Sequence, residues 1–86
     1  MEEDLFAPAK DAGLRQVELA KIAGVSRLTA CNWMNGKGQP HALHRAKIVG
    51  LMDQVHECLQ RGTLPVSPRL KGADRMEKIF AVLAEV

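Results

Sequence analysis

"GVSRLTACNWMNGK", Gly24 to Lys37, is the stretch on which the reading of this chain turns. Ser26 suits a helix N-cap, because its hydroxyl can accept a backbone N–H of the first turn, and Gly36 suits a helix stop, because it tolerates a left-handed backbone. The residues between them contain neither Gly nor Pro, so a helix reaching Asn35 is predicted. Its two sides are chemically unequal. Ala30 and Trp33 lie three apart on one face, and Val25, just before the cap, can enter the same core. Arg27, Leu28, Cys31 and Asn32 fall at i, i+1, i+4 and i+5 on another face. Trp33 is read as core and not as a stacking platform, since Phe6 and Phe80 are the only other aromatics and single-strand binders rely on several. The second face is therefore a set of outward residues whose exposure needs a reason.

Upstream, "QVELAKIA" predicts a helix over Gln16–Ala23, with Gly24 supplying a tight turn and small Ala20 allowing close approach of the two helices. Before it, Asp4 can cap a first helix through Ala12 that Gly13 ends. Pro8 then falls near the fourth helical position, where it removes a backbone bond and predicts a short or distorted start. Downstream, Pro40 opens a long helix to Arg61 whose apolar residues do not share one stripe. Ala42, Leu43, Ala46 and Val49 lie on one face, and Ile48, Leu51, Met52, Val55, Cys58 and Leu59 on a nearly opposite one, which predicts a change of buried side near Gly50. "GTLPVSPRLKG", Gly62 to Gly72, reads as a loop. A last helix over Asp74–Glu85 carries the stripe Met76, Ile79, Phe80, Leu83. The expected fold is all-α, one domain over residues 1–86. Residues 4–40 form a core around the 16–35 unit, and 41–86 form a long helix, loop and C-terminal helix.

Composition narrows the function. A chain of 86 residues has room for one modest core, and no apolar run approaches the ~20 residues that cross a bilayer. The opening Met1, Glu2, Glu3, Asp4 lacks the basic start of a secretory leader, so a cytoplasmic protein is expected. Cys31 and Cys58 make neither a disulfide framework nor a zinc cluster, and His41 and His44, three apart, lack a third ligand nearby, so no metal and no cofactor is expected. His56, Glu57 and Cys58 are consecutive and point in different directions, which argues against a Cys and His dyad. With no nucleophile and base pair and no Gly-rich phosphate loop, an enzyme is not expected. The charge is uneven. Between Lys10 and Lys47 seven Lys and Arg face only Asp11 and Glu18, whereas the rest of the chain holds five basic and eight acidic residues. A localised basic region points to a phosphate-bearing partner.

"QVELAKIAGVSRLTACNWMNGK", Gln16 to Lys37, resembles the helix-turn-helix of the Cro and lambda-repressor (XRE-type) class of phage and bacterial regulators. Gln16, Leu19, Ala20, Gly24, Val25, Ser26, Trp33, Gly36 and Lys37 stand at that family's separations, over about a quarter of the chain, and Pro40 extends the likeness. The resemblance implies a lambda-repressor-like bundle of about five helices and a sequence-specific regulator of double-stranded DNA, a phage or prophage type of repressor. It would act as a homodimer on a palindromic operator. It implies that Arg27, Leu28, Cys31 and Asn32 face bases. Arg pairs bidentately with guanine, Asn with adenine, and Leu or a thiol suits a thymine methyl. It implies further that Gln16, Thr29, Asn35 and Lys37 meet phosphates; Arg15 and Ser26 are read as phosphate contacts beside them, and Arg45 and Lys47 are further candidates for phosphate.

Three residues depart from the pattern. Arg15 stands where a capping Ser, Thr or Asn is common, Ala30 is smaller than the usual Val or Ile, and Pro8 interrupts the usual first helix. The dimer surface is expected at Leu51, Met52, Val55, Leu59, Ile79, Phe80 and Leu83, although the same stripes can instead close within one chain. The rival reading is an antitoxin-like or anti-repressor module whose C-terminal helices bind a partner protein.

Overall fold

Local punctuation sets the helices of the computed structural model, which describes residues 4–86: α1 (Ala7–Asp11), α2 (Gln16–Ala23), α3 (Arg27–Met34), α4 (Ala42–Arg61) and α5 (Gly72–Ala84). No strand occurs among the described residues. The acidic start at Glu2 and Glu3 lies outside them.

α1 begins two residues later than Asp4 predicts, with Phe6 at the N-cap. Pro8 consequently sits in the first turn, where its missing N–H has no intrahelical partner to lose, and the expected distortion does not arise. Asp4 caps a turn ahead of the helix instead: its carboxylate accepts the Phe6 N–H at 3.0 Å and its carbonyl the Ala7 N–H at 3.0 Å. Lys10 bonds the same carboxylate, and that bond, with the Phe6 N–H, holds the Asp4 carboxyl below its ordinary value.

α2 and α3 follow the sequence closely. Gly24 turns at φ +71°, and the Val25 N–H returns to the Ala20 carbonyl at 3.0 Å, which closes the turn. Leu19, Ala20 and Ala23 of α2 and Ala30 and Trp33 of α3 are buried where the two helices pack, with Val25 half-buried against them. Phe6 stacks on Trp33, ring centroids 5.2 Å apart and planes 16° from parallel.

α4 departs from expectation in two ways. Pro40 is buried ahead of the helix and does not open it; His41 is the N-cap, its Nδ1 accepting the Leu43 N–H at 3.3 Å. Nor does the buried side change. Ile48, Met52, Val55 and Cys58 are buried, and Ala42, Leu43, Ala46 and Val49 all face solvent, Leu43 at 84% exposure. The first half of α4 lacks the second neighbour that a double-faced helix requires, because α1 joins the same apolar cluster as Ile48 and Met52.

α5 starts two residues early. It buries Ile79, Val82 and Leu83 with Met76 half-buried, and turns Phe80 out at 47% exposure. Its pairing with α4 is pinned by the Cys58 thiol, which donates to the Val82 carbonyl at 3.4 Å. The connecting loop contributes to the core as well, since Leu64 and Val66 are buried. The expected dimer stripe is corrected accordingly. Met52, Val55, Ile79 and Leu83 close on one another inside one chain, Leu51 and Leu59 are half-buried against the same cluster, and only Phe80 of that set is exposed. No helix among the described residues is long and apolar enough to cross a membrane.

Candidate nucleic-acid interface

The outward side of α3 follows from what its inward side must do. With Ala30 wholly buried and Trp33 nearly so, the helical period turns Arg27 and Leu28 into solvent, Leu28 at 70% exposure, and leaves Cys31 and Asn32 half-buried at the rim. All four predicted base-facing residues are thus on the accessible side, the first two more prominent than the second two. Asn35, at the C-cap of α3, directs its Nδ2 to the Cys31 sulfur at 3.4 Å, so Cys31 and Asn35 act as one polar unit and not as independent contacts.

The N-terminus of α3 is held by Ser26, whose Oγ accepts the Thr29 N–H at 3.1 Å and lies 2.9 Å from the Thr29 hydroxyl. Two hydroxyls in mutual contact use one hydrogen between them, which leaves the other O–H to donate outward beside the positive end of the helix. Arg15, at the N-cap of α2, makes no capping bond with its side chain, and its guanidinium is exposed, while the adjoining Gln16 is half-buried. Lys37 is exposed after Gly36, its backbone N–H bonded to the Asn32 carbonyl at 2.8 Å.

The two further phosphate candidates separate. Lys47 places its ammonium 3.9 Å from where a side chain on Gly24 would begin, so it lies against the α2–α3 turn. It borders a hollow of about 380 Å³ shared with Thr29, Gln39 and His44, above buried Trp33 and Ile48. Arg45 instead borders a second hollow, about 570 Å³, with Lys10 and Gly36. His41 and His44 sit edge to face, 6.4 Å between ring centroids, and His41 is engaged as a cap. Among the described residues no group of three or more His, Cys, Asp or Glu is gathered to hold a metal. His56, Glu57 and Cys58 have three separate partners: Gln60, Arg61 and Val82.

One residue that sequence reasoning missed lies beneath this surface. Glu18 is buried in α2, where its Oε1 accepts the Arg15 N–H at 2.8 Å and both its oxygens accept from Arg75 of α5, at 2.5 and 3.2 Å. Arg75 also donates to the Gly13 carbonyl at 2.9 Å. Burial pushes the Glu18 carboxyl up, but the bonds from Arg75 and from the Arg15 backbone, with the charge of Arg75, outweigh it and hold the group below its ordinary value. Glu18 in the third helical position is a recognisable capping signal. Its cationic partner, 57 residues away, has no signal in the sequence.

The chain matches no protein-family model, and no curated protein or solved structure is significantly similar to it.

Proposed function

We propose that this protein binds double-stranded DNA in a sequence-specific way, as a repressor-like regulator of phage or prophage type whose α3 enters the major groove. The observation that carries the reading is that α3 buries only Ala30 and Trp33 and projects Arg27 and Leu28, with Cys31 and Asn32 beside them, from a short helix pair. A groove about 12 Å wide admits one helix, and one that projects from a tight turn reaches the base edges. In this reading Arg27 and Asn32 read bases, Leu28 and Cys31 supply apolar contact, and Arg15, Gln16, Ser26, Thr29, Asn35, Lys37 and Lys47 fix the register on phosphates. One such unit makes too few contacts for tight discrimination, so two copies on half-sites about 34 Å apart, or a multiple, are the working form.

Selection of duplexes from a random pool tests this directly. A recovered motif with two-fold symmetry supports the reading, and a pool that stays random rejects it. Salt separates it from the protein-interaction alternative. Duplex affinity should fall by orders of magnitude between about 50 and about 200 mM salt if roughly 6 to 10 phosphates are contacted.

A further inference from the structure

The first half of α4 presents an apolar face with nothing over it. Ala42, Leu43, Ala46, Val49 and Gly50 are all exposed, on the side of the helix directly opposite Ile48, Met52 and Val55. A leucine 84% exposed in the midst of alanines and a glycine is unusual on a solvated helix, which is ordinarily polar on that side. We propose that this face is where a second copy of the chain docks, with the two α4 helices antiparallel about a two-fold axis at Ala46.

Shape favours that occupant. Leu43 lies three residues before Ala46 and Gly50 four after it on the same flank, so an antiparallel copy sets each Leu43 over the partner's Gly50, where added atoms meet nothing within 4 Å. On the other flank Ala42 meets the partner's Val49. Large is opposed by small on both sides, which lets the helix axes approach at the close end of the usual 8–10 Å range.

Charge sets the direction. α4 carries Arg45 and Lys47 in its first half with no acidic residue in its first turn, while in its second half Glu57 is already paired with Arg61 and Asp53 is the carboxylate left free of that pair. A parallel copy would bring the two positive helix ends together. The antiparallel copy carries Asp53 past the partner's α4 N-terminus, whose unpaired N–H groups attract a carboxylate. The overlap, Ala42 to Gly50, is about two and a half turns of mostly small side chains, which buries less than stable interfaces do. The pair is accordingly transient in isolation and reinforced when something else holds both copies, as a duplex with two half-sites would. It does not depend on how α3 reads DNA.

The test uses the full chain without nucleic acid, in a Cys31→Ser background that leaves buried Cys58 as the only native thiol. Ala46→Cys is expected to form disulfide-linked dimer at least about tenfold faster than Glu77→Cys, an exposed control on α5, because the axis brings two copies of position 46 within bonding range. Adding Leu43→Asp should remove that advantage. In a mixture, Ala42→Cys and Val49→Cys chains should link to each other in preference to themselves. Equal rates at positions 46 and 77, an advantage that survives Leu43→Asp, or self-linked products from the mixture would each overturn the proposal. Any of these would leave base reading by α3 standing, and failure to select a DNA motif would leave the pairing standing.

Discussion

α3 and α5 are both amphipathic helices packed on one side, yet they use their polar sides in opposite ways. α5 buries Ile79, Val82 and Leu83 and sends Arg75 down to an ion pair under α2, so its most specific polar contact is spent inside the protein. α3 buries two residues and keeps its distinctive side chains outside, tied only to one another, as Cys31 is to Asn35 and Ser26 to Thr29. One helix is a support and the other a display, and the same change in either therefore has a different readout.

The largest effects test whether the inward side of the display helix is as structural as the support. Trp33→Ala removes a buried ring stacked on Phe6 and is expected to cost about 3–5 kcal/mol in urea unfolding, a large share of the roughly 5–15 kcal/mol a small domain possesses. A loss under about 1 kcal/mol would show that α3 is not anchored through this residue.

Next is the support itself. Arg75→Ala strands the Glu18 carboxylate, whose side chain is 6% exposed, and should cost about 3–5 kcal/mol. The pH dependence follows from the sign of the shift. The Glu18 carboxyl titrates below its ordinary 4.5, so its contribution is complete above that pH and is lost as the pH falls through the lower folded value. Asp4 is shifted the same way, so the comparison is between the parent and Glu18→Gln, which should have the shallower loss of stability in acid. Parallel curves would remove Glu18 as the cause.

On the display side, Arg27→Ala is expected to cost about 1–3 kcal/mol of binding to the selected duplex and to relax preference at one base pair, with folding stability unchanged within about 0.5 kcal/mol. Lys37→Ala should weaken all duplexes alike. Equal binding of Arg27→Ala and the parent to the selected site sinks the base-reading role. The smallest effect concerns the join between inside and outside. Ser26→Ala removes the α3 cap and should cost about 1 kcal/mol in thermal or urea unfolding; no change there would mean that solvent caps the helix equally well.

The same contrast explains what was legible in the sequence. The α2 bounds and the turn at Gly24 were readable because cap and stop signals act within a few residues, and Ser26 and Gly36 framed α3 for the same reason. The inward role of Trp33 followed from its spacing to Ala30. The apolar faces of α4 were visible by angle, but angle cannot say whether a neighbour exists, and Leu43 has none. Leu64 and Val66 were hidden because a stretch rich in Pro and Gly has no period by which inward and outward residues can be told apart. Phe80, at one edge of the expected α5 stripe, is exposed and Val82, outside that stripe, is buried, because the covered face of α5 is rotated from the centre of its apolar pattern toward Ile79 and Val82.

The clasp between Arg75 and Glu18 gives the protein a timetable. At about 5–20 residues per second, a ribosome places Arg75 in the chain roughly 3 to 11 seconds after Glu18. For that interval no cation of α5 exists to pair with Glu18, and the bond from Arg75 to the Gly13 carbonyl cannot form. The buried ion pair beneath α2 is therefore completed only once α5 has been made. A nascent chain lacks its clasp, and a chain stopped short of α5 never acquires it.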